Sequence, residues 1–451
     1  MRACLFGLLM VLAACPPSGG GNTGGGSGRT GGGSGSSGGG SGSNGGGTGA
    51  TGGAITFTTL GWERASLVSG ADGTLHLLFA AGDNPFTVQY GRCASNCGSA
   101  SSWTLTVIEQ GAPRIGRTEL AIASDGRLHA RFDLDGSNDE PIYATCAGDC
   151  SMVGNWKKVN LTAVLGGTTA ELWGHPMAVD SSGRVSFITS DQRFPADIRL
   201  NSCAANCDNA ANWTSALIRS DGRKSSMVAQ GGTLHHLIDD GAGNLRYRTC
   251  ASNCTSAASW TESGPLFAHD YSQPTAIAVS ANGTVHVAYN QGMVSGQSAQ
   301  VEAQNDRLLY WQCASNCMDP ASWSGTVFNA AEGQKGLAMA ERNGAVVLGL
   351  AQGLEATAKL CTSGCTDGAK WRTVTLDSQA RMTADVDPYS VRNCTNNNTP
   401  PELATWFPEE PTVAIQPDGT AAIAWGMWMN RQCPGSVLAR QQGYGRFTLL
   451  R

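Results

Sequence analysis

Sixteen cysteines stand in a chain of 451 residues, and twelve of them share one spacing. The motif is C-x3-C-x5-W. It occurs at Cys93/Cys97/Trp103, Cys146/Cys150/Trp156, Cys203/Cys207/Trp213, Cys250/Cys254/Trp260, Cys313/Cys317/Trp323 and Cys361/Cys365/Trp371. Two thiols four residues apart can close a disulfide across a tight turn. They can also supply half of a structural zinc site. Zinc thiolates belong to reducing compartments, and six half-sites without a nearby His would be odd, so disulfides are expected and no metal or other cofactor is. His76, His129, His235 and His286 each lie three residues after a repeated Gly. Such a ring of imidazoles could bind metal. Equivalent positions in a repeat face equivalent neighbours, however, so packing or hydrogen bonding is expected of them instead.

A second set of residues is polar and aromatic in a chain that is only 14% charged. It comprises Trp62, Glu63, Arg64, Arg117, Glu119, Trp173, His175, Arg223, Lys224, Asp270, Tyr271, Lys335, Trp406 and Glu409. Aromatic rings with convergent charge suit a pocket for a glycan or a peptide. No Gly-rich phosphate loop, H-E-x-x-H or G-x-S-x-G points to other chemistry.

The elements that must position these residues repeat as well. Ahead of each cysteine pair comes a short apolar run, a turn pair ending in Gly, and an alternating strand: Asp72-Gly73, Asp125-Gly126 and Asn282-Gly283, with weaker copies at Gly183, Gly232 and Gly344. A seventh, Asp418-Gly419, has no C-x3-C after it. Asp-Gly and Asn-Gly between alternating runs signal a tight hairpin whose two turn residues tolerate positive φ. Each unit then holds about four strands, in the first near residues 65–70, 74–80, 86–92 and 103–109. An all-β period of 40–60 residues without helical periodicity is that of a propeller. Seven Gly turns predict an all-β, seven-bladed β-propeller over residues 54–451, with Ile55–Thr59 as an extra strand available to close the ring. Each cysteine pair would staple the hairpin between strands three and four of its blade, with the Trp two or three residues into strand four.

In such a blade the 1–2 and 3–4 turns share one face. The 2–3 loops and the connections between blades share the other. The polar and aromatic set falls in those connections. Two long insertions, Gln291–Arg307 and Arg381–Pro411, fall on the same face, and loops of that length are usually functional or disordered.

The first 53 residues differ in kind. Leu5–Ala14 is an apolar run of signal-peptide length, and no later stretch is long and apolar enough to span a bilayer. Leu12-Ala13-Ala14-Cys15 resembles the lipobox of bacterial lipoproteins. That resemblance implies a signal peptide over 1–14 and a multiply acylated Cys15, hence a membrane anchor. Residues 16–53 contain 21 Gly and no large apolar residue, and read as a disordered Gly/Ser-rich tether within a 15–53 linker. With Cys4 in the leader and Cys15 lipidated, Cys394 and Cys433 are left to pair, giving seven disulfides. The net charge of −5 offers no footprint for nucleic acid.

The polar turn followed by Trp also resembles the Asp-box (BNR) repeat of sialidase-like propellers, Ser-x-Asp-x-Gly-x-x-Trp. Here Ser95-Asn96-Cys97 precedes Trp103 and Ser252-Asn253-Cys254 precedes Trp260, with the Asp and Gly mostly missing. The repeat as a whole is similar to those of bacterial surface lipoproteins. This likeness implies architecture rather than activity. A sialidase-like glycoside hydrolase would need an arginine cluster, for which Arg64, Arg117 and Arg223 are placed, a Tyr–Glu nucleophile drawn from Tyr271 and Glu119, and an acid. That family's Phe-Arg-Ile-Pro start is absent. The expectation is therefore a monomeric, non-enzymatic binding or scaffold module. It would be lipid-anchored in the cell envelope, on the periplasmic or surface side of the outer membrane, and would take a glycan or an envelope protein.

Overall fold

The computed structural model describes residues 54–57, 63–82, 86–112, 115–134, 140–165, 177–190, 196–222, 225–269, 274–291, 307–329, 334–388, 394, 401, 403–433 and 439–451. Seven antiparallel sheets follow one another along the chain. Blade one is Glu63–Ser69, Leu75–Ala81, Phe86–Cys93 and Thr104–Ala112, close to the expected limits. The innermost strands are Glu63–Ser69, Ile115–Ile122, Ala178–Val179, Ser225–Gln230, Thr275–Val279, Gln334–Arg342 and Leu403–Ile415. Each touches the next, and the last touches the first, so seven blades close a ring.

The second strands explain why single blades cannot stand alone. Leu75–Ala81 reads LHLLFAA, with every residue but His76 buried. Apolar side chains point both ways because each sheet is covered on both faces by its neighbours. The core therefore lies between blades: Leu78 and Tyr90 of blade one join Ile115, Leu128 and Phe132 of blade two in one cluster.

Ile55–Phe57 completes the ring. It pairs antiparallel with the last strand, Ala439–Leu450, as the fourth strand of blade seven. Phe57 packs edge-on to Trp103, with ring centroids 5.6 Å apart. Ile55 lies toward the end where the 1–2 turns cluster and Phe57 toward the other. Thr58 and Thr59 fall outside the described residues.

In blade six Asn343 and Gly344 both hold positive φ, at 55° and 84°, as the expected two-residue hairpin requires. The turns of blades one and seven differ: only the Gly has positive φ, at 83° for Gly73 and 86° for Gly419. The preceding Asp or Asn instead accepts a hydrogen bond from the backbone N–H two residues on, as Asp72 does from Thr74 at 2.9 Å and Asp418 from Thr420 at 2.9 Å. The acidic residue serves its side chain and the glycine its backbone.

All seven expected disulfides are formed. Six are the repeated pairs Cys93–Cys97, Cys146–Cys150, Cys203–Cys207, Cys250–Cys254, Cys313–Cys317 and Cys361–Cys365. Each lies in the expected hairpin between strands three and four, but within its turn, and does not tie the two strands to each other. The first Cys of each pair is the last residue of a third strand, but Cys97, Cys150, Cys207, Cys254, Cys317 and Cys365 all lie in the turn beyond it. The fourth strand begins only beyond a further 3-10 turn, at Thr104 in blade one and Trp156 in blade two, so the bridge closes the turn on its own entry. These cysteines are part of the scaffold. A 3-10 turn then leads to the Trp, which stands at or just before the start of the fourth strand rather than two or three residues into it. Every one of the six indole N–H groups donates to the carbonyl of its second Cys, at 2.7–3.0 Å, as Trp156 does to Cys150, Trp213 to Cys207 and Trp323 to Cys317. Blade seven has no such staple. Its bridge, Cys394–Cys433, ties the connection ahead of its first strand to the end of its second strand, on the opposite face.

Candidate functional site

The histidines are engaged in the blade-to-blade seams. His76, His129, His235 and His286 share hydrogen bonds through Nδ1 with the hydroxyls of Tyr90, Tyr143, Tyr247 and Tyr310, at 2.6–2.7 Å. Burial holds His76, His129 and His235 near a pKa of about 4 and lowers His286. The same burial raises the four tyrosines. Each pair is thus neutral, as a buried hydrogen-bonded pair should be. The tyrosine rings then meet the Trp of the following blade, at centroid distances of 5.2, 5.0, 5.8 and 4.9 Å for Trp156, Trp213, Trp323 and Trp371. These tyrosines were not singled out from the sequence. The available signal was their position three residues before the first Cys, in the same four blades that carry the His.

Among the described residues no three His, Cys, Asp or Glu side chains gather as a cation site. A cavity of about 300 Å³ opens between blades five and six on the turn face, lined by His286, Gln312, Glu341 and Asn343 among others. Its polar groups already answer one another: His286 Nε2 lies 2.8 Å from Ser280 Oγ, and Glu341 accepts from Gly344 N–H at 2.7 Å.

The opposite face carries the long connections, as expected. Strand two of blade five ends at Asn290 and strand three begins at Arg307. The other insertion is shorter than Arg381–Pro411. Gln379–Asp385 is a helix, and the innermost strand of blade seven already begins at Leu403. That helix corrects the reading of Trp406. Its ring is 0% exposed, packed with Met382, Met427 and Met429, and its indole N–H donates to the Val386 carbonyl at 2.8 Å. Trp406 anchors the helical connection and offers no ring to a ligand. Glu409, also assigned to the binding face, is 5% exposed.

Glu119 is drawn inward as well. It is 7% exposed and stands opposite Arg131, whose Nη1 is 3.9 Å from Glu119 Oε2. The Arg131 guanidinium lies over the Phe187 ring of blade three at 4.5 Å. Burial and this partner set it apart from an exposed nucleophile's neighbour.

The backbones of Glu63, Arg64, Arg117 and Lys335 lie at the loop-face ends of innermost strands. Trp62, Trp173, His175, Arg223, Lys224, Asp270 and Tyr271, like Cys15, lie outside the described residues. One pair on this face had no signal in the sequence: His269 Nδ1 lies 2.8 Å from Asp239 Oδ2, with both side chains wholly buried.

No protein-family model and no curated protein sequence matches the chain. Solved structures of similar fold are remote in sequence. An ulvan lyase is 10% identical with a TM-score of 0.48, over 86% of this chain and 95% of that one. A lectin of Aleuria aurantia, solved with α-methyl-L-fucoside, is 12% identical with a TM-score of 0.45, over 70% and 97%. A Hadza microbial sialidase is 10% identical with a TM-score of 0.43, over 87% and 66%. At this distance none of them carries an activity to this chain.

Proposed function

We propose that this chain is a binding module of the cell envelope, held through a lipidated Cys15 and its Gly/Ser-rich tether, whose propeller takes a glycan on the loop face. The observation that supports it is the division of labour between the two faces. The turn face consists of short turns, several of them Asx turns, and of disulfide staples. Among the described residues the loop face carries the long connections after Asn290 and after Asp385, and the backbones of Glu63, Arg64, Arg117 and Lys335 stand at its edge. Rigid scaffold on one side and variable connections on the other is how binding surfaces are built on repeat folds.

The test is a glycan array probed with the full chain, with a fluorogenic sialoside assayed alongside. Saturable glycan binding without turnover, lost in Trp62→Ala or Trp173→Ala, is the expected result. Sialoside cleavage would replace this reading with that of a glycoside hydrolase. Failure to bind any glycan would leave an envelope protein as the partner to seek by cross-linking from 292–306.

A further inference from the structure

Among the described residues, four innermost strands carry the same irregularity near the same end. In blades one, two, six and seven one extra residue enters the innermost strand, between Glu63 and Ser66, Ile115 and Thr118, Gln334 and Gly336, and Glu409 and Thr412. The corresponding ladders of blades four and five run without a shift. All four bulges lie at the loop-face end, at the mouth of the ring. In each, one residue stands nine positions ahead of the turn glycine of its own blade, and those residues are Arg64, Arg117, Lys335 and Glu410. A bulge takes its residue out of the regular alternation, and bulges gather at rims and beside binding sites for that reason.

These four blades are neighbours, in the order six, seven, one, two. Their seams are fixed immediately inside the bulges. Leu67 N–H donates to Thr412 Oγ1 at 3.0 Å, and Leu120 N–H donates to Ser66 Oγ at 3.0 Å. Between blades six and seven the bulges abut: a Cβ on Gly336 would stand 2.5 Å from Pro411 Cδ and 2.9 Å from the Glu410 nitrogen. Glu410 itself holds a left-handed φ of 46°, which a non-glycine residue adopts at a cost of about 1–2 kcal/mol. Strain held where two bulges abut marks a position fixed by its surroundings.

Three cations and one carboxylate at equivalent positions stand out in a chain whose net charge is −5. Glu63 and Glu409, one position ahead of two bulges, remain in the regular ladder opposite Ala80 and Gly426. We propose that the bulges of blades six, seven, one and two form a continuous arc that binds an acidic oligosaccharide, with Lys335, Arg64 and Arg117 meeting its anionic groups and Glu410 opposing them at one position. The proposal rests on the loop-face binding reading and names its ligand class. A multiply charged chain suits an arc spread over four blades better than a single anion does, and Arg and Lys both donate to carboxylate and sulfate oxygens.

The experiment is calorimetric titration of the full chain with oligogalacturonate, with a sulfated oligosaccharide, with neutral oligosaccharides of equal length, and with a poly-glutamate peptide. Binding of an acidic glycan but not its neutral counterpart, weakened by salt, is expected. Arg64→Gln, Arg117→Gln and Lys335→Gln should each weaken it about tenfold, Glu410→Gln should strengthen it, and Lys157→Glu, in Trp156–Asn160, the outermost strand of blade two, should leave it unchanged. Melting temperatures confirm that each variant is folded. The carboxylated and sulfated arms show which anion is preferred. Equal binding of neutral and acidic glycans, or folded variants with unchanged affinity, would overturn the arc and leave the loop-face reading standing. Binding of the peptide and of no glycan, or of nothing, would overturn both.

Discussion

A buried tyrosine hydroxyl needs a partner, and the repeat shows this by its exceptions. In blade seven the position of Tyr90 is taken by Phe447, which meets Trp103 at 5.0 Å, and the position of His76 is taken by Ala422. Without a hydroxyl there is no imidazole. In blade six the aromatic position is Ala358 and the His position Val347, and the blade that follows has no staple Trp to cover. Each His therefore serves the Tyr of its own blade, and the Tyr serves the Trp of the next. Removing one member of the pair leaves the other buried and unanswered, which costs about 1–3 kcal/mol. We expect Tyr143→Phe and His129→Ala each to destabilise by that amount. The double variant, which copies blade seven, should cost less than the sum by about 1 kcal/mol or more. Urea unfolding of the four proteins measures the coupling, and strict additivity would contradict it.

At the scale of elements, the staple turn depends on one left-handed residue. Asn96, Asn206, Asn253 and Asn316 hold φ of 50–54° immediately before the second Cys, and Gly364 holds 65°. Asn and Gly are the residues that adopt this conformation at least cost. Asn253→Ala should therefore lower stability by about 1 kcal/mol while Asn253→Gly leaves it nearly unchanged, as read from urea midpoints. Spacings of this kind made the fold legible: seven glycine turns and six C-x3-C-x5-W copies translate directly into seven sheets, six of four strands and one, blade four, whose outermost strand is split in two, and the cysteine pairing follows from them. What stayed hidden is set by partners far away in the chain. The bulges at Arg64 and Glu410 exist only relative to the strands they pair with. The burial of Trp406 depends on a helix that places Met382 against it. An aromatic residue in a polar connection reads as a ligand contact until the element that covers it is known.

The whole molecule is held by contacts that cross between blades. Arg446 of blade seven bonds Asp377 of blade six at 2.8 Å with both side chains fully buried, and Gln416 Nε2 donates to the Gly73 carbonyl of blade one at 2.6 Å. The final seam is the short ladder of Ile55–Phe57 on Ala439–Leu450. Phe57→Asp places a charge where an aromatic ring met Trp103 and Phe79. It should lower the melting temperature by several degrees, at a cost of about 3 kcal/mol or more. Val327→Asp, at a residue 46% exposed, should not. Equal melting temperatures for Phe57→Asp and the wild type would show that the ring closes without this strand.

That seam also has a mechanical meaning. A pull on the residues ahead of Ala54 acts along the axis of the Ile55–Phe57 strand. The pairs Ile55–Phe447, Thr56–Arg446 and Phe57–Gly445 then take the load together, as a lap joint does in shear, instead of parting one after another like a zip. If that joint yields, blade seven is left with three strands and Trp103 keeps Phe447 but loses Phe57. Traction from the N-terminal side thus enters the disc at the one place where its circumference was joined.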